Sequence, residues 1–165
     1  MFTDGQFCRR ADDPSGVYRV PTNGPENPTE TTMPQDSNRE LILSYYKALE
    51  AGDGDALFAL YDRAVVQTEW PNPLKPRGDR RGLEKLRADF ERAKGVLRSQ
   101  TYDIKTLLCT DDYAAVEATW EGVVAIPLGK LVPGDVMTAH IATFFTFRDG
   151  RIVNQRNYDC FEPFR

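Results

Sequence analysis

The chain has 165 residues, with 21 basic and 25 acidic side chains, a net charge of −4 and a single histidine. Its 41% apolar and 11% aromatic content supports one packed domain. A mean hydropathy of −0.51 and the lack of any apolar run approaching about 18 residues exclude a membrane span, so a soluble protein is expected. A pI of about 5.1, with no basic block longer than Arg9-Arg10 and Arg80-Arg81, leaves no electrostatic footprint for nucleic acid. Cys8, Cys109 and Cys160 are odd in number and follow no CxxC or Cys/His spacing, which argues against a disulfide framework and a zinc site and fits a reducing cytoplasm. One histidine and scattered carboxylates lack metal-ligand spacing, so no metal or cofactor is expected.

In chain order, residues 1–37 hold Pro14, Pro21, Pro25, Pro28 and Pro34 among polar residues, with apolar side chains that follow no period. Such a segment buries too little area to offset its chain entropy and reads as a disordered tail ahead of a domain over 38–165. Met33 lies just before the first periodic segment and is a conceivable native start. From Ser37 the pattern is helical: Asp36, Ser37 or Asn38 caps a helix whose apolar positions Leu41, Ile42, Tyr45, Tyr46 and Leu49 recur at helical spacing until Ala51-Gly52-Asp53. A short second helix, capped by Asp53 or Asp55, carries Leu57, Leu60 and Tyr61 and breaks near Arg63. The β-branched run from Ala64 to Trp70 reads as a strand, and Pro71, Pro73 and Pro76 predict irregular structure until Gly82. Leu83, Leu86, Phe90, Ala93 and Leu97 then mark an amphipathic helix over 82–97, expected to lie across a sheet and roof an enclosed chamber.

The remainder predicts strands over 99–109, 113–126, 135–148 and 151–161, with Asp149-Gly150 as a hairpin turn. Helices first and antiparallel strands afterwards give the α+β class. Alternation assigns Ala114, Val116, Ala118, Trp120, Val124 and Ile126 to one face of their strand, with Glu117, Thr119 and Glu121 opposite. The strand 135–148 is apolar on both sides, with Met137, Ile141, Phe145 and Phe147 on one and Ala142 and Phe144 on the other. Burial on both sides predicts a subunit interface behind the sheet, hence a homodimer.

The segments "YYKALEAGDGDALFALYD" (Tyr45 to Asp62), "VVQTEWPNPL", "RGLEKL" and "FFTFRDGRIVNQRNYDCFEP" together resemble the superfamily of nuclear transport factor 2, ketosteroid isomerase and the SnoaL-like polyketide cyclases. The resemblance spans residues 38 to 163. It implies an NTF2-like (cystatin-like) cone, in which a strongly curved, mostly antiparallel sheet wraps the N-terminal helices around a hollow for a small apolar ligand. Aligned with ketosteroid isomerase on Ala51-Gly52-Asp53, the resemblance puts Tyr45 at the family's tyrosine donor and Glu69 at its base, with Asn72 a rival for that register. Thr143 falls where the steroid enzyme has its second acid, which speaks against authentic steroid isomerisation.

In the same register Gln155, Asn157 and Asp159 point inward, and polar groups lining a hollow are costly unless they bind something. SnoaL-like cyclases and related epoxide hydrolases draw a carboxylate from late strands, so the resemblance also offers Asp159 as base. The first reading is therefore a cofactor-independent acid/base enzyme of isomerase, cyclase, dehydratase or epoxide hydrolase type, acting on a small apolar oxygenated molecule. Its base is Glu69 or Asp159 and its donor Tyr45; Asn157, Gln155 and Thr143 orient the substrate, and Trp120, Phe145 and Ile141 supply apolar contact. His140, the lone histidine, falls by alternation on the face opposite Thr143. The second reading is a non-catalytic ligand-binding or protein-association module on the same cone.

Overall fold

A computed structural model describes residues 34–164, and the expected tail up to residue 33, with the conjectured start at Met33, lies outside the described residues. Helix α1 spans Pro34–Ala51, so residues 34–37 belong to a helix and not to the tail. Asn38 is therefore inside the helix and does not cap it. Its side-chain amide donates to the carbonyls of Thr110 and Asp111, at 3.0 and 2.8 Å, and pins the helix to a distant turn. The helix ends where Gly52 takes φ +65° and the Gly52 and Asp53 amides return to Leu49 and Ala48. Asp53 caps the short helix α2 (Gly54–Ala59) by accepting from the Ala56 amide at 2.9 Å.

Tyr61 does not extend α2 but opens strand β1 (Tyr61–Glu69). The proline loop is interrupted by a short strand, β2 (Asp79–Arg81), before helix α3 (Leu83–Ala93). Four long strands follow: β3 (Leu97–Cys109), β4 (Tyr113–Val124), β5 (Val136–Arg148) and β6 (Arg151–Phe161). They form one curved six-stranded sheet in the order β2-β1-β6-β5-β4-β3, antiparallel except where β1 runs parallel to β6. Register shifts in β3 between Ile104 and Thr106, and in β6 between Ile152 and Asn154 opposite Phe147 and Thr146, are the irregularities that let a sheet bend.

The shift beside Phe147 also sets which residues of β6 face inward. Ile152 and Gln155 are both fully buried although three positions apart, and the odd-numbered set continues inward from there. On β4 the alternation is regular, with Ala114, Val116, Ala118, Trp120 and Val124 buried. Helix α1 contributes Ile42, Tyr45, Tyr46 and Ala48 to the same core. No helix among the described residues is long and apolar enough to cross a membrane.

Candidate functional site

The inward faces of β5 and β6 pair Ile141 with Asp159 and Thr143 with Asn157. Beside them on β4, Trp120 lies over Gly122, whose Cα is so close that an added Cβ would meet the indole at 2.5 Å. These side chains wall a cavity of about 180 Å³ that α1 closes with Tyr45, Tyr46 and Leu49. The chamber expected beneath the 82–97 helix is thus covered at this point by α1; α3 lies over a different groove with Leu86 and Phe90.

The Asp159 carboxyl makes no hydrogen bond or ion pair with the described residues. Burial, followed by the charge of Glu69, pushes its carboxyl up to about 6, against the pull of Lys75 and Arg81. Tyr46 faces the same space, and its buried hydroxyl has no hydrogen-bond partner among the described residues. Burial pushes that phenol up to about 12, with the neighbouring Thr143 hydroxyl acting in the opposite direction and the Asp159 charge reinforcing the rise.

Behind this wall runs a buried chain. Gln155, with 0% exposure, accepts from the Tyr61 hydroxyl at 2.6 Å and donates through Nε2 to the Tyr45 hydroxyl and to Asn157 Oδ1, both at 2.9 Å. Desolvation drives the Tyr45 and Tyr61 phenols well above their ordinary range, so both stay protonated. On the far side, Gln100 accepts from Trp120 Nε1 at 3.1 Å and donates to the Leu49 carbonyl at 2.7 Å, tying indole to helix. Tyr102 packs beside Tyr46 with ring centroids 4.9 Å apart and the planes tilted by 55°.

Of the residues singled out in sequence, Asp159, Tyr45, Asn157, Thr143, Trp120 and Ile141 meet at this cavity. Glu69, Gln155, Phe145, His140 and Asn72 do not line it. Glu69 ends β1 turned into cations, 2.9 Å from Lys75 Nζ and 2.5 Å from Arg81 Nη2, and accepts from Asn72 Nδ2 at 3.0 Å. Asn72 organises the proline loop, its Oδ1 accepting from the amides of Leu74 and Lys75. Phe145 is core, packed edge-on against Tyr45. His140 is exposed on the outer face, 3.5 Å from Glu162. Sequence reasoning missed Gln100 and Tyr102, whose alternation with Ile104 along β3 carries the signal, and gave Tyr46 no role beyond the core. No group of three or more metal-ligating side chains occurs among the described residues.

A curved sheet closed by an N-terminal helix over a cavity with a polar floor and apolar sides defines an NTF2-like cone. The SnoaL-like domain model matches residues 42–155, and the chain belongs to that family. Among solved structures it is similar to AclR of Streptomyces galilaeus, titled a candidate hydroxylase, at 14% identity and TM-score 0.66, covering 78% of this chain and 82% of that one. It is also similar to IdmH of Streptomyces antibioticus, titled a candidate polyketide cyclase, at 21% identity and TM-score 0.62, covering 73% and 90%. A third similar structure is a LEH-like epoxide hydrolase of M. tuberculosis, at 18% identity and TM-score 0.60, covering 76% and 84%. At these identities the likeness shows the fold alone. No protein of curated function matches the chain.

Proposed function

We propose that the protein is a cofactor-independent acid/base enzyme acting on a small apolar, oxygenated molecule, with Asp159 as the general base. The observation that carries this reading is the Asp159 carboxyl on the cavity wall, pushed up to about 6 and without a hydrogen-bond or ion-pair partner among the described residues, in the same cavity as the buried Tyr46 hydroxyl. A carboxylate with that proton affinity is ionised at neutral pH yet far more basic than an exposed aspartate, which suits abstraction of a proton beside a carbonyl. Charge then develops on the substrate oxygen. Tyr46, still protonated, donates to that oxygen, as does Asn157 Nδ2, which donates to no other described residue and is oriented by the bond that Asn157 Oδ1 accepts from Gln155. Trp120 and Ile141 hold the apolar body. Tyr45, committed to Gln155, orients Asn157 through that amide, and Glu69 acts only through its charge.

Two similar solved structures carry the names of a candidate polyketide cyclase and an epoxide hydrolase, and a reaction on a small oxygenated molecule is in keeping with those names. The protein works as a homodimer through the outer face of the sheet, where Phe144 and Tyr158 lie edge to face at 5.7 Å with Tyr158 40% exposed. A substrate-independent test follows deuterium incorporation from D2O into the α-carbons of a panel of cyclic ketones. Exchange above the buffer rate that disappears in Asp159→Asn supports the reading. Wild-type protein without exchange, or a variant that retains it, overturns the reading in favour of a binding module.

A further inference from the structure

Beside the Asp159 cavity lies a larger hollow of about 400 Å³, where the end of α1, the end of α3 and the start of β3 converge with Leu128 of the β4–β5 connection. Leu49, Leu74, Gln100 and Trp120 line both hollows, so the partition between them is a single layer of side chains. Three of these four are held. Gln100 bonds Trp120 Nε1 and the Leu49 carbonyl, and Leu49 packs against the core. Leu74 is 42% exposed and belongs neither to the core nor to the side chains packed on it. Its backbone, by contrast, is fixed. The Leu74 amide donates to Asn72 Oδ1 at 3.0 Å, the Asn72 and Lys75 backbones bond each other at 3.1 and 3.0 Å, and Lys75 Nζ ties the loop to Glu69. A rigid mount therefore presents, at the boundary of two hollows, a side chain with room to change rotamer.

The inner cavity sets a limit on size. A hydrocarbon-lined cavity of about 150 Å³ takes one benzene, so about 180 Å³ seats one oxygenated ring and little more. Any longer molecule with its oxygen at Asp159 has to pass Leu74. The outer hollow offers such a molecule a predominantly apolar surface from Leu49, Phe90, Val96, Leu97 and Leu128. Its charged side chains single out no head group: Glu50 accepts from the Tyr102 amide at 2.6 Å, Lys94 meets Glu91 at 2.7 Å, and Arg98 is exposed to water. Apolar surface left open next to a site carries a hydration cost that an apolar tail would remove.

We infer that the substrate is a two-part molecule, an oxygenated ring in the Asp159 cavity carrying an apolar tail in the outer hollow, and that Leu74 is the specificity-determining residue that sets which tails pass. The inference rests on the proposed seat of the oxygenated head at Asp159, and it is tested by binding, which needs no base.

The full chain labelled with ¹⁵N is titrated with cyclohexanone and with 4-pentylcyclohexanone, reading the indole N–H of Trp120, which borders both hollows, in wild type and in Asp159→Asn. The tailed ketone is expected to bind at least about tenfold more tightly than cyclohexanone in both proteins. Leu74→Trp narrows the passage, and Leu128→Asp puts a charge on the outer wall alone; each is expected to lower that ratio of affinities at least about fivefold. No saturable shift with either ketone, a ratio near one in wild type, or a folded Leu74→Trp or Leu128→Asp that leaves the ratio unmoved overturns the inference. A wild type that shows the ratio and its loss in both variants, yet exchanges no α-deuterium, removes Asp159 as base and leaves the two-part ligand standing; exchange with a ratio near one does the reverse.

Discussion

Glu69 and Asp159 do not share the cavity, yet the charge of the first raises the proton affinity of the second. Glu69 is turned into Lys75 and Arg81, and Asn72 closes over its other oxygen. The field that Asp159 feels from that side is the difference between one buried anion and two cations.

This relationship separates two roles for Glu69. Glu69→Gln removes the anion and leaves the charges of Arg81 and Lys75 less opposed on the side of Asp159, so the Asp159 titration midpoint falls below about 6. Breaking one partner out of a largely buried ion-pair ring costs about 2–3 kcal/mol of stability, somewhat less than a fully buried pair because Lys75 is partly solvated. Side-chain ¹³C NMR of Asp159 and denaturant unfolding check the two halves. A midpoint that rises, or stays fixed, defeats the electrostatic account.

Asp159→Asn trades stability against function in a pH-dependent way. A carboxyl whose folded-state pKa is raised to about 6 binds its proton more tightly when folded than when unfolded. Stability contributed by the protonated form is therefore present at pH 4 and lost as pH rises through about 6, after which the penalty is constant. The uncharged asparagine escapes that penalty. At pH 7 the variant is expected to be more stable by about 2 kcal/mol after discounting for partial solvation, and at pH 4 about equal to wild type. Thermal unfolding at the two pH values reads the difference, and a variant less stable at pH 7 would show that Asp159 holds the fold.

Alternation in β4 and β5, helical spacing in α1 and α3, and the Asp149-Gly150 turn could be read because each is a local pattern repeated over several residues. The inward set Gln155, Asn157 and Asp159 could be read only through the family resemblance, since the register shift beside Phe147 breaks simple counting from Ile152. Within that set, spacing gave no means of telling the buried bridge Gln155 from the cavity-facing Asp159. The place of Glu69 and Asn72 outside the cavity could not be read for a related reason: the cations that claim Glu69 come from the proline loop and from β2, a three-residue strand with no period of its own. Tyr46 hides beside Tyr45 because the curved sheet and its edge bury more than one stripe of α1, so adjacent helix positions both reach the core.

Gly122→Ala tests how the cavity floor is made. The new methyl would fall 2.5 Å from Cζ2 and Cη2 of Trp120, so the indole must move. Its Nε1–H then leaves Gln100, and the expected cost is about 1–3 kcal/mol, with a displaced indole NMR signal and changed tryptophan fluorescence. A variant with wild-type stability and an unmoved indole signal would mean that the floor yields without disturbing the site.

The outer face of the sheet carries the last prediction. Trp70, 45% exposed, lies 5.8 Å from Tyr158, which reaches Phe144 and through it Tyr113 at 6.3 Å. Arg156 extends across this row, its guanidinium 5.7 Å from the Phe144 ring and its Nη2 donating to the Tyr113 hydroxyl at 2.7 Å. Aromatic and cationic groups in one continuous patch are what the centre of a subunit interface contains, and an uncovered patch of this kind carries a hydration cost that a second copy would remove. A dimer at micromolar concentration is expected by sedimentation velocity. Phe144→Asp places a charge in the middle of the patch and should shift the population toward monomer by at least tenfold in dissociation constant, with the unfolding midpoint then depending less on protein concentration. Wild-type protein that sediments as a monomer at these concentrations would leave the aromatic row without a partner and defeat the dimer.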